Sequence, residues 1–74
     1  LKKFNEAIKL FNIVLKNQFD NVDAYFGLGI IYSQLGELHK AIFFLEKAVD
    51  LNINQVEAYI ELSNCYSKTN YNTK

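Results

Sequence analysis

Two glutamates in the last third of the chain, Glu57 and Glu61, lie four residues apart. On an α-helix this spacing places both carboxylates on one face. Paired carboxylates can act as general acid and base or bind a metal, but both roles need further polar groups at the same point. The next residues on that face, Asn64 and Lys68, continue a polar stripe. We therefore expect a solvated or peptide-facing surface with no catalytic or metal-binding role.

The single histidine and the single cysteine have no companions for chemistry. His39 has no second His or Cys at a metal-ligand spacing, so we expect an exposed helix residue. Cys65 stands at an apolar position and is expected to be a buried, unreactive thiol. It cannot form an internal disulfide, which favours a reducing compartment, the cytoplasm or, in a eukaryote, the nucleus. We expect no enzyme activity, cofactor or metal in this chain.

Gly27 and Gly29 flank Leu28 in a way that looks like the beginning of a dinucleotide-binding loop. Such a loop needs a third glycine, and Tyr32 occupies that position. No strand is predicted before the glycines, and their neighbours follow a helical spacing. Small residues that let two helices approach closely are the better interpretation.

Eight lysines balance eight acidic residues, and the sequence contains no arginine. A neutral chain has no long-range field for nucleic acid, and arginine is the usual residue for phosphate and guanine contacts. The most apolar stretch, residues 25–32, is far shorter than the roughly twenty residues that span a bilayer. We expect neither nucleic acid nor membrane as a partner. Nine asparagines and the absence of arginine and proline indicate an AT-rich genome.

The chain contains an internal repeat of 34 residues. Shifting the sequence by that distance pairs residues of similar apolarity or size: Phe4 with Leu38, Ala7 with Ala41, Phe11 with Leu45, Val22 with Val56, Ala24 with Ala58, Tyr25 with Tyr59, Leu28 with Leu62, Gly29 with Ser63 and Tyr32 with Tyr66. Repeats of this length indicate stacked supersecondary units. The chain opens without an initiator methionine, and we expect it to be part of a longer protein.

Each period predicts two amphipathic helices with defined ends. Gly36 is expected to end the first helix in a left-handed conformation, and Asn70 is its equivalent one repeat later. The second helix is expected over residues 37–51. Asn54 and Glu57 resemble a capping box, as does the segment 20–23 one repeat earlier.

One set of residues resembles the tetratricopeptide repeat pattern of aromatic-x2-Leu-Gly-x2-Tyr, then Ala-x3-Phe and Ala: Tyr25, Leu28, Gly29, Tyr32, Ala41, Leu45 and Ala48. The resemblance covers the chain as the second helix of one repeat (1–21), a complete repeat (22–55) and the first helix of the next (56–74). It implies an all-α fold of about four helices, in which antiparallel helix hairpins stack as an α-solenoid.

Three residues depart from the family pattern. Phe19 and Ile53 stand where the family has proline, so we expect each to add an apolar group that must be buried. Val14 replaces the small residue that is equivalent to Ala48, so we expect the first helix to pack more loosely or at a shifted angle.

In the family, the first helices of successive repeats line a concave groove that binds a peptide. By position, the resemblance implies a groove formed by Asp23, Phe26, Gly27, Ile30, Gln34, Glu57, Ile60, Glu61, Asn64 and Lys68. The family's clamp for acidic chaperone tails needs basic residues and asparagines at such places, so the acids here argue against that ligand. A protein or peptide with an apolar anchor and basic flanks fits better.

Several alternatives remain open on the sequence alone. Phe26 and Ile30 could pack against a neighbouring repeat and bind no partner. The apolar ends of the segment, with Leu10 and Phe11 at one end and Leu62 and Tyr66 at the other, could drive self-association. The repeats could also regulate an enzyme elsewhere in a parent chain. A separate aromatic residue, Phe43, is predicted to be exposed on the outer face, where the previous repeat has Lys9.

Overall fold

A computed structural model of the chain describes residues 2–69, and these residues form four α-helices with no strand among them. The helices are α1 (Lys2–Asn17), α2 (Val22–Gln34), α3 (Leu38–Leu51) and α4 (Val56–Thr69). The loops between them have only three or four residues. Connections this short turn the chain back, so neighbouring helices are antiparallel. The predicted all-α fold of stacked helix hairpins is confirmed.

Helix α2 occupies the centre of the molecule, where it packs against α1, α3 and α4. Its sequence is apolar around the whole circumference, as expected for a helix with neighbours on several sides. Helices α1 and α3 instead have one apolar and one polar face. Helix α3 makes the most extensive contact with α2 and also packs on α4. The repeat of residues 22–55 is therefore the best-packed part of the chain.

The core is built from small and branched side chains of the last three helices. Leu28 of α2, Leu45 of α3 and Cys65 of α4 are fully buried. Around them lie buried alanines at the crossings of α3 with its two neighbours: Ala41, Ala48 and Ala58. Alanine at these places lets the helix axes approach, and the burial of leucine supplies the main favourable free energy.

Gly29 marks the closest approach of α2 and α3. A Cβ atom built on Gly29 would lie 2.5 Å from Cγ of Leu45 and 3.4 Å from the carbonyl oxygen of Ala41. Carbon atoms do not pack at 2.5 Å, so no larger residue fits here without a shift of α3. This contact confirms that small residues in the Gly27–Gly29 segment serve helix packing.

Helix α1 packs more loosely than the others. None of its described side chains is buried, and Val14 is only half-buried. Its main anchor on α2 is Phe11, whose ring fills the space next to Gly27. This lack of buried side chains agrees with the looser packing of α1 that valine at position 14 predicts.

The loop between α2 and α3 is closed by Gly36, which has a φ of 84°. Its N–H donates to the carbonyl of Ser33, and the N–H of Glu37 donates to the carbonyl of Tyr32 at 2.9 Å. This pair of bonds is the Schellman motif, which requires a left-handed residue after the helix. The prediction for Gly36 is confirmed, whereas its equivalent Asn70 lies outside the described residues.

The predicted helix caps are displaced by one residue. The cap of α2 is Asn21, and not Asp20, because the Asn21 side chain accepts a hydrogen bond from the Ala24 N–H at 2.9 Å. Helix α4 begins at Val56, so the residue before it is Gln55 and not the predicted Asn54. Asparagine and aspartate are similar cap residues, so sequence alone does not choose between neighbours of these types.

The expectation that Phe19 and Ile53 are buried is wrong. Their side chains are 77% and 72% exposed in the two four-residue loops. The first loop is held instead by backbone groups: the hydroxyl of Tyr25 donates to the carbonyl of Phe19 at 2.9 Å, and the Asn21 N–H donates to the carbonyl of Gln18. Because polar bonds define the turn, the apolar side chain is free to point into solvent.

Candidate functional site

Helices α2 and α4 lie side by side, and a cavity of about 380 Å³ opens between them. Five of the ten predicted groove residues line it: Phe26 and Ile30 from α2, with Glu57, Ile60 and Glu61 from α4. We call this surface the α2–α4 cavity. Its residues come from two successive repeats, as a groove formed by first helices requires.

Helical spacing explains why these side chains converge. Phe26 and Ile30 are four residues apart on α2, and on α4 Glu57 is three residues from Ile60 and four from Glu61. Residues three or four apart share a helix face. Phe26 and Ile60 are also equivalent positions of the 34-residue repeat. The cavity is therefore formed by the same helix face in two successive repeats.

The apolar residues of the α2–α4 cavity differ in burial. Phe26 is half-buried and packs against the core, so part of its ring supports the fold. Ile30 is also half-buried, whereas Ile60 is 55% exposed. Packing within the chain thus buries much of the Phe26 side chain but leaves the Ile60 side chain available to a partner.

Two carboxylates flank the apolar residues. Glu57 is exposed and Glu61 is half-buried. Within residues 2–69 neither forms a hydrogen bond or an ion pair. An ion pair elsewhere joins Lys40 of α3 to Glu37, the residue before that helix. Carboxylates without a cation nearby make this side of the molecule attractive to positively charged groups.

The other predicted groove residues lie outside the cavity lining. Asp23, Gln34, Asn64 and Lys68 are exposed on α2 and α4 and could contact a ligand longer than the cavity. Gly27 is different, because a Cβ atom at this residue would overlap the ring of Phe11. Gly27 therefore lets α1 approach α2, a role that the sequence suggested more generally for this glycine pair.

A second cavity, of about 610 Å³, lies between α3 and α4, and two of its lining residues, Leu62 and Tyr66, are ones that the sequence predicts to be uncovered at this end of the segment. It is lined by acids of α3, Glu46 and Asp50, and by Tyr59, Leu62, Ser63 and Tyr66 of α4. The Tyr66 hydroxyl donates to Oε2 of Glu46 at 2.5 Å. The equivalent face of α2 is covered by α3.

An aromatic cluster lies along α2 and α3. Phe44 stacks on Tyr32 with ring centroids 5.6 Å apart, and Phe43 packs edge-on against Phe44 at 5.1 Å. Nζ of Lys40 lies 5.3 Å from the Tyr32 ring centroid, within cation–π range. Phe43 is 56% exposed, which confirms the predicted exposure. The cluster joins the two helices of the repeat.

The lone histidine and cysteine occupy the expected environments. His39 is exposed on α3, and Cys65 is buried with its Sγ 3.8 Å from Oγ of Ser33. In the part of the chain that the structure describes, no group of three or more His, Cys, Asp or Glu residues is arranged to hold a metal ion. None of the helices within residues 2–69 combines the length and the apolar character needed to cross a bilayer.

The comparison with protein families matches residues 22–54 to the tetratricopeptide repeat. The match covers the whole α2–α3 hairpin and all but the last residue of the 34-residue period. Residues 22–54 therefore belong to the tetratricopeptide repeat family. Repeats of this family generally act in protein–protein interaction, which gives the helices around the α2–α4 cavity a family context.

Two curated relatives extend the similarity over most of the chain. A TPR repeat-containing protein of Methanocaldococcus jannaschii is 37% identical over 62 residues, which are 82% of this chain and 11% of that protein. Superkiller complex protein 3 of Homo sapiens is 31% identical over 70 residues, which are 95% of this chain and 4% of that protein. The chain thus spans about a tenth or less of the length of these relatives.

Proposed function

We propose that the chain binds a segment of another protein, extended or helical, in the α2–α4 cavity. The observation that carries this proposal is the convergence of Phe26, Ile30 and Ile60 with two carboxylates on one open surface. An apolar floor supplies affinity and charged groups at its edge supply orientation, which is how an amphipathic segment is recognised in a groove.

The ligand that fits best has one apolar side chain with lysine or arginine close to it in sequence. The apolar side chain would cover Ile60 and the exposed part of Ile30. Burying such a side chain contributes about 1.5–3 kcal/mol, which corresponds to a roughly tenfold to hundredfold change in affinity. A basic residue would lie near Glu57 and Glu61, and its contribution would weaken as salt is added.

An acidic ligand is disfavoured by the same surface. Glu57 and Glu61 line the cavity, and Asp23 adds a third exposed carboxylate at the start of α2. Like charges brought together at a binding surface cost free energy and select against the wrong partner. The proposal therefore excludes acidic carboxyl-terminal tails of chaperones, and it includes neither nucleic acid nor a membrane.

A scaffolding role follows from this binding mode. One relative takes its printed name from a complex, and the family generally acts in protein interaction. The proposal assigns the chain no catalytic step, and it places the chain in the cytoplasm or a nucleus because Cys65 has no disulfide partner in the sequence. Regulation of an attached enzyme and self-association through the ends of the segment both depend on sequence beyond this chain.

The test is selection from a random peptide library displayed on phage. We expect the selected peptides to combine an apolar residue with lysine or arginine nearby. Ile60→Asp should lower their affinity about tenfold or more, since it removes apolar contact from an exposed position. Glu61→Lys should also lower it, because the attraction to basic residues becomes repulsion. The measurement is titration of labelled peptide by fluorescence anisotropy.

A matched control is Glu6→Lys, which changes the net charge by the same amount as Glu61→Lys but lies exposed on α1. It should leave the affinity within about twofold of the parent chain. Selected peptides without basic residues, or equal binding by Ile60→Asp, would contradict the proposal. Circular dichroism of each variant checks that the helices are intact.

A further inference from the structure

The charges of this neutral chain are divided between its helices. Helices α1 and α3, the second helices of their repeats, contain six of the eight lysines, whereas three of the four charged residues in α2 and α4 are acidic. The α2–α4 cavity is accordingly flanked by carboxylates. A surface of the opposite charge lies on the face of α3 that points away from α2 and α4.

This face presents an exposed aromatic ring with a lysine on either side of it. Lys40, Phe43 and Lys47 follow one another at spacings of three and four residues, so they share one side of the helix. All three are exposed. We call this surface the outer face and define it by Lys40, Phe43, Phe44 and Lys47. Helix α3 packs against both α2 and α4 with its other sides, so the outer face is uncovered within the complete repeat.

A stack of rings holds the outer face in place. Phe44 lies between Tyr25 and Tyr32, with ring centroids 6.3 and 5.6 Å away, and Phe43 packs edge-on against Phe44 at 5.1 Å. Because Phe43 is supported by this stack, a partner that covers it removes little side-chain freedom. An aromatic side chain held in position in this way is well suited to anchor a partner.

The two lysines extend over the same rings. Nζ of Lys40 lies 5.3 Å from the Tyr32 ring centroid, and Nζ of Lys47 lies 6.0 Å from the Tyr25 ring centroid. Lys40 also forms an exposed ion pair with Glu37 at 3.9 Å, a contact that contributes little in water. Among the described residues Lys47 forms no ion pair. Both ammonium groups therefore stay on the outer face and can pair with an incoming anion.

The acidic residues of α3 lie towards α4. Glu46 and Asp50 line the cavity between these two helices, where Glu46 accepts a hydrogen bond from Tyr66. The residues that define the outer face comprise two cations, two aromatic rings and no carboxylate. A surface of this charge attracts acidic partners and repels basic ones.

We propose that the outer face of α3 binds an acidic segment of a partner protein, in which one apolar side chain has aspartate or glutamate close to it in sequence. The apolar side chain covers the exposed part of Phe43, and the carboxylates pair with Lys40 and Lys47. At the α2–α4 cavity the same segment is repelled by Glu57 and Glu61.

Two surfaces of opposite preference allow the chain to connect two proteins. The outer face takes the acidic segment, and the α2–α4 cavity takes the basic one. This connecting role rests on the proposed function of the cavity, whereas binding at the outer face does not.

Selection from a random peptide library displayed on phage tests the proposal, with removal of every peptide that also binds the Phe43→Asp variant. We expect the remaining peptides to combine an apolar residue with aspartate or glutamate nearby. Labelled synthetic copies are then titrated with the chain by fluorescence anisotropy. Their affinity should fall as salt is added, because exposed charge pairs are screened.

Phe43→Lys separates the contribution of the ring from that of charge. The previous repeat has Lys9 at the equivalent position, so the helix accepts this residue. The substitution removes the apolar contact and adds a positive charge. We expect the affinity for the acidic peptides to fall about tenfold or more, which corresponds to the loss of one buried apolar side chain.

Lys47→Glu reverses one charge of the outer face and should also lower the affinity about tenfold or more. The matched control is Lys3→Glu, which makes the same change of charge at an exposed residue of α1. Within the described residues α1 does not pack against α3. The control should stay within about twofold of the parent chain, because distant exposed charges are screened. Circular dichroism of each variant checks that the helices are intact.

Four outcomes would overturn the proposal. They are the survival of no peptide after the removal step, surviving peptides without acidic residues, equal binding of those peptides by Phe43→Lys, and equal affinities of Lys47→Glu and Lys3→Glu. A single-stranded oligonucleotide that binds the parent chain more tightly than the acidic peptides, and is released by Lys47→Glu, would overturn it in favour of nucleic acid.

The two surfaces can be tested separately. Ile60→Asp should leave the acidic peptides bound, and Phe43→Lys should leave the basic peptides of the α2–α4 cavity bound. Displacement of an acidic peptide by a basic one would show a single shared site and contradict the proposal. Failure of the cavity to select basic peptides leaves the result for the outer face unchanged.

Discussion

Gly27 and Gly29 are two residues apart, yet their surroundings differ in a way that stability can measure. A side chain at Gly29 meets Leu45, which is fully buried, whereas one at Gly27 meets the tip of the Phe11 ring. Phe11 belongs to a loosely packed helix and can turn aside, but Leu45 has core atoms around it. The cost of a methyl group therefore depends on which neighbour must move.

We predict that Gly29→Ala lowers the free energy of unfolding by about 1–2 kcal/mol. Overpacking costs about 1–3 kcal/mol, and replacing a helical glycine returns up to about 1 kcal/mol. For Gly27→Ala the two effects nearly cancel, so the change should stay within about 1 kcal/mol. Urea denaturation of both variants measures the difference. Equal destabilisation by the two substitutions would show that α1 is as tightly packed as α3.

At the scale of elements, the four helices differ in how many neighbouring helices they pack against. Helix α2 has neighbours on several sides, and α3 packs against both α2 and α4. Helix α1 contacts α2 and has no buried side chain among those described. Local opening free energy follows buried apolar contact, so α1 should separate from the molecule before the α2–α3 hairpin opens.

We predict that the backbone amides of α1 exchange with deuterium at least about tenfold faster than those of α3. Hydrogen exchange read by mass spectrometry measures this directly. Gly27→Ala serves as a comparison, because further loosening of Phe11 should speed exchange in α1 and leave α3 unchanged. Similar protection of both helices would contradict the prediction.

The repeat register explains which elements were predictable. Apolar residues at matching positions in two periods define the helices, and Gly36 marks its turn because few other residues accept that backbone conformation. The caps were displaced because Asp20 and Asn21 are adjacent and both suit a cap. The loop that carries the exposed Phe19 is held by a hydrogen bond from the Tyr25 hydroxyl to the Phe19 carbonyl, which the pattern of apolar residues does not indicate.

The predicted groove also combines features that the repeat predicts with features that depend on contacts between side chains. Phe26, Ile30, Glu57, Ile60 and Glu61 were placed together because repeat equivalence and helix spacing bring them to one surface. Their role in binding remains a prediction. The role of Gly27 depended on how far α1 leans onto α2, which is set by the Phe11 side chain and not by position in the repeat.

For the whole molecule, 74 residues provide a narrow margin of stability. Domains contribute about 0.05–0.15 kcal/mol per residue, which gives about 4–11 kcal/mol for this length. Leu28, Leu45 and Cys65 are the largest fully buried side chains. Removal of a single one of them therefore affects the entire fold.

We predict that Leu28→Ala lowers the free energy of unfolding by about 3–5 kcal/mol, since both apolar burial and packing are lost at a site where helices meet. A shifted urea midpoint, or loss of helical circular dichroism at 37 °C, measures the effect. The control is Leu35→Ala, at an exposed leucine directly after the same helix. It should change stability by less than about 1 kcal/mol, and comparable losses would contradict the importance of the shared core.

The burial of Cys65 has a kinetic consequence. Its thiol is inaccessible while α4 stays in place, and it lies across from Ser33 of the central helix. A thiol reagent can react only when α4 separates from the core, so the rate of modification equals the rate of opening when the reagent reacts faster than α4 recloses. The sequence contains no other thiol, so the modification can be assigned to Cys65. Modification of Cys65 therefore reports the opening of α4. A partner that binds α4 and stabilises its packed position should lower the rate of modification.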